Sequence, residues 1–210
     1  MVSQNLVYKV RKYVYIVRMT KDRILSAAKA VLADEGIEGL TIRRVAQRAE
    51  LSPMALYRHF ADKDALLNAL MQDGIAAWEN IVRAIHVRDP LEWLDAVAEA
   101  HLDFALREPH RYDAAFFLPA PAARRFPDDF AAGRSPALAM SMARIDQAKA
   151  EGRLRDMPTL DIALALVAAG HGFVAMHRAN RFAGEKQFKA LYRTAQRHLL
   201  DTLKPSGEAK

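Results

Sequence analysis

The sequence predicts an all-α fold, and three features of its 210 residues support this prediction. Apolar residues recur at intervals of three and four nearly everywhere after residue 20, the spacing of one face of an α-helix. Glycine and proline are scarce, with nine of each, so long stretches can remain helical. Alanine, leucine and arginine, all good helix formers, are frequent. A chain of this length can bury a substantial core in one or two domains.

The composition excludes several classes of site. The chain has no cysteine, so it has no disulfide, no thiolate nucleophile and no Cys-containing zinc site. It contains no uncharged apolar run of about 18 residues, and its N-terminus lacks the pattern of a signal peptide. We expect a soluble, cytoplasmic protein that needs no membrane, metal or cofactor.

Positive charge is concentrated in the first third of the chain. Residues 1–65 carry 12 Lys+Arg against 7 Asp+Glu, whereas residues 66–210 carry 19 against 18. This distribution is typical of a protein in which one part meets a polyanion and the other part has a different task. The alternative is a basic surface that is merely solvated.

Residues 1–19 differ from the rest of the chain. They are rich in Val and Tyr, which is a strand-like composition without a partner strand, and they carry Lys9, Arg11, Lys12 and Arg18. We interpret them as an N-terminal extension that is disordered or lies upstream of the natural start. The alternative is a basic arm that contacts phosphates or enters a minor groove.

Capping residues predict the first four helices in order. Thr20 can begin a helix with an apolar stripe from Ile24 to Leu32, and Gly36 can end it. Thr41 can begin the second helix, and Ser52 the third, with Pro53 at the first helical position. Asp62 can begin a fourth helix that runs towards Trp78.

The remainder predicts longer helices separated by Pro and Gly breaks. The expected helices span residues 75–86, 91–107, 110–118, 137–150, 160–181 and 185–203. Residues 119–136 are expected to form a long irregular loop.

The short third helix has two different sides. With 100° between successive residues, Leu56 and Phe60 lie close together, and Met54 and Arg58 point almost directly away from them. Such a short helix is not stable alone, so we expect the two apolar side chains to anchor it on the first two helices. Two helices joined by a tight turn form a helix-turn-helix, whose second helix enters the major groove of DNA. Lys63 fits this interpretation, because the helix dipole disfavours a cation in the first turn, whereas a lysine there can hold a phosphate together with the helix N-terminus. The alternative is a solvated lysine whose charge is offset by Asp62 and Asp64.

Residues 20–70, and above all GIEGLTIRRVAQRAELSPMALYRHFADKDALLNAL, resemble the DNA-binding domain of the TetR (tetracycline repressor) family. The resemblance implies that Thr41, Tyr57, His59 and Lys63 contact phosphates. It also implies that Arg43, Pro53, Met54, Ala55 and Arg58 face base edges, and Arg44 and Ser52 complete the predicted DNA-binding set. Arg43 is the candidate for a bidentate contact to guanine. Ala55 departs from the threonine that is common in this family, so a hydroxyl contact is missing.

The resemblance implies a DNA-binding domain over residues 20–66 and a larger helical domain for ligand binding and dimerisation over residues 67–205. The candidate ligand-binding residues are Trp78, Leu94, His101, Phe104, Phe116, Phe117, Met140, His171 and Phe173. Small residues between positions 163 and 175 predict close helix packing in a two-fold dimer. The candidate interface residues are Ala168, Gly172, Ala175, Leu191 and His198. Gly170-His171-Gly172 also resembles the Trp-His-Gly motif of a TetR subgroup, with glycine in place of tryptophan.

The expected function is therefore that of a ligand-responsive repressor, which binds a palindromic operator as a homodimer and is released by a small-molecule effector. The alternative is a helical protein-interaction module that uses a similar domain. We do not expect an enzyme, because the sequence shows no metal-ligand cluster, glycine-rich phosphate loop or nucleophile elbow. His171 and His177 are six residues apart and lie on different faces of a helix.

Overall fold

The structure is a computed structural model that describes residues 4–205, with the side chains of residues 9, 11 and 15 and of those from Met19 onward. Every regular element in this part of the chain is a helix, which confirms the all-α prediction. The helices are α1 (Gln4–Gly39), α2 (Ile42–Arg48), α3 (Pro53–Tyr57), α4 (Lys63–Arg83), α5 (Pro90–Arg107), α6 (Pro109–Phe116), α7 (Asp128–Ala131), α8 (Pro136–Ala150), α9 (Thr159–Arg178) and α10 (Glu185–Thr202).

The chain divides into two compact units. The first comprises the described residues through Ile75 together with residues 110–123, and the second comprises residues 76–109 and 124–205. Each unit has its own apolar core. The core of the first unit is formed by α1, α2, α3, the first half of α4 and the α6 segment.

The first helix begins earlier than the sequence predicted. Thr20 was expected to cap its N-terminus, but the helix is continuous from Gln4, and Thr20 lies within it. The strand-like composition of residues 1–19 therefore did not predict its local structure from Gln4 onward, and residues 1–3 lie outside the described part of the chain. The predicted stop at Gly36 is confirmed, because Gly36 has φ 68° and interrupts the helical geometry. Only glycine adopts this left-handed region without a steric penalty.

The fourth helix is longer than expected. The sequence predicted one helix towards Trp78 and another from residue 75 to residue 86, but the structure has a single helix, α4, from Lys63 to Arg83. The cap is as predicted, since Asp62 Oδ1 accepts a hydrogen bond of 2.7 Å from the Ala65 N–H. The predicted loop at residues 119–136 contains one short helix, α7.

Gly74 lies inside α4 at a close contact with α6. A Cβ atom on this residue would lie 2.6 Å from the carbonyl oxygen of Arg111 and 2.8 Å from the backbone nitrogen of Ala115. Asp73, the residue before it, forms ion pairs with Lys29 at 2.7 Å and with Arg111 at 2.9 Å. These ion pairs hold the pKa of Asp73 below its usual value, although burial opposes them as the largest single effect. Asp73 and Gly74 thus join α4 to both α1 and α6.

The second unit is built from α5, α8, α9, α10 and the second half of α4. Its core includes the fully buried side chains of Trp93, Ile145 and Ile162. Asp89 caps α5 by accepting hydrogen bonds from the backbone of Leu91 and Glu92. Arg153 also binds the Asp89 carboxylate, which lowers the pKa of Asp89 to about 2.

The helix α9 is apolar yet largely uncovered. Among the described residues it is the one helix that is long and apolar enough to cross a membrane by length and composition, a test that core helices of soluble proteins also pass. However, only 22% of its most apolar 18-residue stretch is buried within the chain. One side of α9 packs on α5, α8 and α10, and among the described residues Ala168, Gly172, Ala175 and Met176 on this helix remain exposed.

Candidate nucleic-acid interface and internal cavity

A tight turn joins α2 to α3. Thr41 caps α2 by accepting a hydrogen bond of 3.2 Å from the Arg44 N–H. At the other end of α2, the Glu50 N–H donates to Gln47 O and the Leu51 N–H donates to Ala46 O, which is the pattern of a Schellman motif. Glu50 occupies the left-handed position of this motif with φ 53°. The turn directs the chain from α2 into α3 within four residues.

Glu50→Gly is expected to raise the free energy of unfolding by about 0.5–1 kcal/mol. A non-glycine residue in the left-handed region costs about 1–2 kcal/mol, and Glu50→Gly removes this cost. The greater chain entropy of glycine in the unfolded state offsets about 0.5–1 kcal/mol of the resulting stabilisation. Urea unfolding of the purified variant measures this change. Glu50→Ala is the matched control, because it removes the same charge and keeps the steric penalty. An equal gain in both variants would contradict the backbone explanation.

The third helix is anchored as predicted. Ser52 caps it by accepting a hydrogen bond of 3.1 Å from the Ala55 N–H, and Pro53 is its first residue. Leu56 is fully buried and Phe60 is 4% exposed, both in the core of the first unit. The opposite side of the helix is open, since Met54 is 70% exposed.

The α3 outer face, which we define as Met54, Ala55, Tyr57 and Arg58, is displayed to solvent. Tyr57 is 49% exposed, Arg58 is exposed and Ala55 is partly exposed. Of the other predicted DNA-binding residues, the structure leaves His59 partly buried and the rest exposed, namely Thr41, Arg43, Arg44, Ser52, Pro53 and Lys63.

The arginines of α2 differ in their partners. Arg44 forms an ion pair with Glu35 at 3.1 Å, and Arg48 forms one with Asp34 at 2.8 Å. Arg43 makes no ion pair with any described residue, so its guanidinium group is available to a ligand. The sequence placed Arg43 and Arg44 in the same predicted set, and the structure distinguishes them by these contacts.

A cavity lies within the second unit, lined by α5, α8, α9, α10 and Trp78 of α4. Its apolar wall includes Leu94, Val97, Ile145, Leu166 and Val167. The space available in this state is small, about 70 Å³. Its polar wall is formed by His101, Ser141, Tyr192 and Gln196.

A hydrogen-bonded chain of aromatic side chains borders the cavity. The Tyr192 hydroxyl donates to the Ala98 carbonyl at 3.1 Å, so its oxygen must accept the bond of 3.0 Å with His101 Nδ1. The single proton of a neutral His101 then lies on Nδ1, and His101 Nε2 accepts from His171 Nδ1 at 3.3 Å. Burial lowers the pKa of His101 to about 3 and that of His171 to about 4. Both rings are therefore neutral at physiological pH.

The predicted ligand-binding residues fall into three groups. Trp78, Leu94 and His101 line the cavity. Phe104, Met140, His171 and Phe173 lie in the second unit beside the lining: Phe104 stacks on Trp78, His171 bonds His101, Phe173 contacts Tyr192 edge-on, and Met140 packs on the core. Phe116 and Phe117 belong to the first unit, where both rings contact Tyr112, and they do not line this cavity.

Several residues that line the cavity were not predicted from the sequence. Tyr192 and Gln196 lie one helical turn apart on the buried side of α10, and their spacing was compatible with an ordinary core position. The sequence predicts Gly170 as a packing residue and as part of the Gly-His-Gly segment, but not as a cavity residue. A Cβ atom there would lie 3.1 Å from Gln196 Nε2 and 3.2 Å from the Tyr192 hydroxyl. This contact was a possible signal, because glycine is costly inside a helix unless another group approaches closely.

The five predicted interface residues share one property in the isolated chain. All of them are exposed: Ala168, Gly172, Ala175, Leu191 and His198. Met176 is also 47% exposed on α9. A Cβ atom on Gly172 would meet no atom within 4 Å. No contact with a described residue therefore explains why this exposed helix position carries glycine.

Comparisons with known proteins agree with this architecture. Residues 24–70 match the family model described as bacterial regulatory proteins, tetR family. Residues 94–202, about half of the chain, match the model described as the tetracyclin repressor-like C-terminal domain. The subgroup suggested by the Gly-His-Gly segment stays a prediction.

Individual proteins show the same similarity. The Escherichia coli tetracycline repressor protein class C is 42% identical over 55 residues, which are 26% of this chain and 25% of that protein. The HTH-type transcriptional regulator UidR of E. coli K12 is 31% identical over 74 residues, 33% of this chain and 38% of that protein. These alignments span less than two fifths of either relative.

A solved structure of a protein of unknown function from Rhodococcus sp. RHA1 covers nearly the whole fold. It has a TM-score of 0.71 and 25% identity, and the alignment includes 89% of this chain and 96% of that one. Two family models match in the expected order, the second over half of the chain, and they coincide with the helix-turn-helix and with the helices that surround the cavity. The chain belongs to the TetR family of bacterial regulatory proteins.

Proposed function

We propose that this protein is a transcriptional repressor that binds a palindromic DNA operator as a homodimer and is released by a small-molecule effector. The observation that carries this proposal is the anchored, outward-facing third helix. Leu56 is fully buried while Met54, two residues before it, is 70% exposed. The B-DNA major groove, about 12 Å wide, admits one α-helix, and the α3 outer face supplies the side chains for it.

The positive charge of the first third of the chain supports DNA binding by the same surface. Phosphate attraction dominates the affinity of proteins for DNA, and the cations of residues 1–65 provide it. Lys63 opens α4 beside Asp62, whose carboxylate already caps the helix. We assign Lys63, Thr41, Tyr57 and His59 to phosphate contacts, with Arg44 and Ser52 beside them. We assign base edges to Arg43, Pro53, Met54, Ala55 and Arg58.

The experiment that tests this function is selection of DNA from a random duplex library by the purified protein. We expect an enriched palindrome, whose half-sites are one or more helical turns of about 34–36 Å apart. Its affinity should fall steeply as the salt concentration rises, because binding releases counterions from the phosphates. A folded protein that enriches no sequence and shows no salt-dependent DNA binding would favour the protein-interaction alternative over the regulator. The relatives found are transcriptional regulators, which supports a regulator and not an enzyme.

The exposed apolar face of α9 supports a two-fold dimer. Apolar surface that is left uncovered in one chain is stabilised by burial against a second copy. Ala168, Gly172 and Ala175 present small side chains on this face, which permits close approach of a partner helix. We therefore assign them, with Leu191 and His198 of α10, to the dimer interface.

Gly172→Leu is expected to weaken dimerisation by roughly 10- to 100-fold. A leucine here meets open space within the isolated chain, so it disturbs only a surface that a partner covers. Overpacking costs about 1–3 kcal/mol, and each 1.4 kcal/mol changes the association constant tenfold. Sedimentation equilibrium measures the change, and circular dichroism checks the fold. Ala143→Leu, at an exposed position of α8, is the matched control and should leave the dimer intact. An unchanged dimer in the Gly172 variant would exclude this interface.

Release by an effector follows from differential binding. In the DNA-binding state of the dimer, the two recognition helices are one DNA turn apart. A molecule that binds more tightly to a state with a different spacing shifts the population towards that state. The cavity beside His101 is the candidate effector site, since it is lined by four helices of the second unit and by Trp78. Effector binding should therefore lower operator affinity.

A further inference from the structure

The chemistry of the cavity wall restricts the molecule that can occupy it. None of its described lining residues is a lysine, arginine, aspartate or glutamate. Most of the wall is hydrocarbon, from Leu94, Val97, Ile145, Leu166 and Val167, and Trp78 adds an indole ring. A charge that is placed against this wall loses part of its hydration and meets no counter-ion among the lining residues, which is unfavourable.

The polar side chains on the wall already have hydrogen-bond partners within the chain. Tyr192 donates to the Ala98 carbonyl and accepts from His101, and the Ser141 hydroxyl donates to the Ala137 carbonyl at 3.2 Å. Gln196 Nε2 donates to the Leu166 carbonyl at 3.4 Å. No buried side-chain polar atom in the described part of the chain lacks a partner. A bound molecule is therefore not needed to satisfy them, and its affinity must come mainly from apolar contact.

A neighbouring groove between α5 and α10 carries the ionic side chains of Asp95, Glu99, Arg193 and Arg197. Glu99 and Arg193 form a bidentate pair, with distances of 2.7 and 2.8 Å. Tyr192 and Gln196 line both the groove and the cavity, so their side chains stand between this pair and the cavity. A charged group inside the cavity therefore finds no counter-ion among the residues that line it.

We propose that the cavity selects an uncharged, predominantly apolar molecule and excludes carboxylates and amines of the same shape. This inference rests on the proposed function only where the bound molecule is called the effector. The binding preference itself can be measured without DNA. The small volume of the cavity adds a consequence. A molecule larger than this space displaces lining side chains or helices when it binds, which would link occupancy to a change of conformation.

Three probes with the same six-carbon chain test the selection: 1-hexanol, hexanoate and hexylammonium at pH 7. Trp78 provides the signal, because it lines the cavity and the second tryptophan, Trp93, is 1% exposed in the core. We expect the tryptophan fluorescence to change and reach saturation as hexanol is added, and we expect hexanol to raise the midpoint of thermal unfolding. We expect hexanoate and hexylammonium to bind at least about 10-fold more weakly, since 1.4 kcal/mol already gives that factor.

Variants localise the binding to the cavity. Val167→Phe fills the space and should abolish the response to hexanol, and Ser141→Leu fills it from α8 and serves if the first variant does not fold. Ala143→Leu, which adds the same side chain at an exposed position of α8, should respond like the wild type. In Trp78→Phe the fluorescence response should disappear, and the thermal shift should remain.

Three results would overturn the inference: charged probes that bind as tightly as hexanol, a hexanol response that survives in a folded filled variant, and no saturable response to any probe. Operator binding is measured on the same preparations by fluorescence anisotropy. A protein that binds hexanol selectively but no DNA refutes the proposed function and leaves the cavity assignment intact. A protein that binds its operator but prefers hexanoate refutes only the cavity assignment.

Discussion

Leu56→Ala is expected to lower the free energy of unfolding by about 2–5 kcal/mol and to abolish operator binding. Leu56 is fully buried between α3 and the core of the first unit, so truncation removes apolar contact and leaves a cavity. The five-residue helix α3 is too short to persist without this anchor. Urea unfolding gives the stability change, and anisotropy with labelled operator gives the affinity.

Met54→Ala is the matched control for this prediction, because it truncates another apolar side chain in the same helix. Met54 is 70% exposed, so its loss should change stability by no more than about 0.5 kcal/mol. Operator affinity should nevertheless fall, since Met54 belongs to the α3 outer face. A Leu56 variant that is as stable as the Met54 variant and binds the operator normally would show that α3 is not held by its buried side.

Gly74→Leu is expected to destabilise the first unit by more than 3 kcal/mol. A Cβ atom alone would lie 2.6 Å from the Arg111 carbonyl oxygen, a backbone atom that cannot rotate away. The longer side chain must then push α6 off α4 and disturb the Asp73 ion pairs with Lys29 and Arg111. Overpacking a core with one or two carbons typically costs about 1–3 kcal/mol, and leucine adds four.

Ala76→Leu is the control for Gly74→Leu. It introduces the same side chain two residues later in α4, at an exposed position, and should change stability by about 0.5 kcal/mol or less. Gly74→Ala should lie between the two, because its steric cost is partly offset by the helix propensity of alanine, worth about 1 kcal/mol. Thermal unfolding of the three variants measures the series. Equal stability of the Gly74 and Ala76 leucine variants would mean that α6 does not pack against Gly74.

The sequence was sufficient to predict the N-terminal caps of α2, α3 and α4 and the two sides of α3, because these signals are local. Thr41, Ser52 and Asp62 cap helices through hydrogen bonds that span three residues, and each cap is present in the structure. The two sides of α3 follow from helical periodicity, so the burial of Leu56 and the exposure of Met54 were predictable from spacing alone.

The features that the sequence did not predict depend on tertiary contacts. Nothing near Arg44 in sequence indicates that its partner is Glu35, nine residues earlier on another helix. The cavity joins residues from five helices, and the hydrogen bond between His101 and Tyr192 links positions 91 residues apart. Aromatic composition alone also placed Phe116 and Phe117 with the ligand-binding residues, although both pack in the first unit.

The N-terminal helix shows the limit of propensity. Val and Tyr favour strands, yet residues from Gln4 onward continue the helix that Thr20 was expected to begin. A β-strand needs a partner strand for its backbone hydrogen bonds, whereas a helix satisfies its own. Extension of an existing helix also requires no new nucleus, so weak local preference for a strand did not decide the structure.

The most direct test of the central claim is the base preference of the Arg43→Ala variant. Binding of the wild type, Arg43→Ala and Lys63→Ala is measured against the selected operator and all its single-base-pair variants, at several salt concentrations. The account predicts that Arg43→Ala loses about 1–3 kcal/mol of discrimination at one base pair of each half-site. Lys63→Ala should weaken all sequences equally and reduce the slope of affinity with salt. Unchanged base preference in Arg43→Ala, with an unchanged salt slope in Lys63→Ala, would contradict the claim that α2, α3 and the start of α4 form the DNA-reading surface.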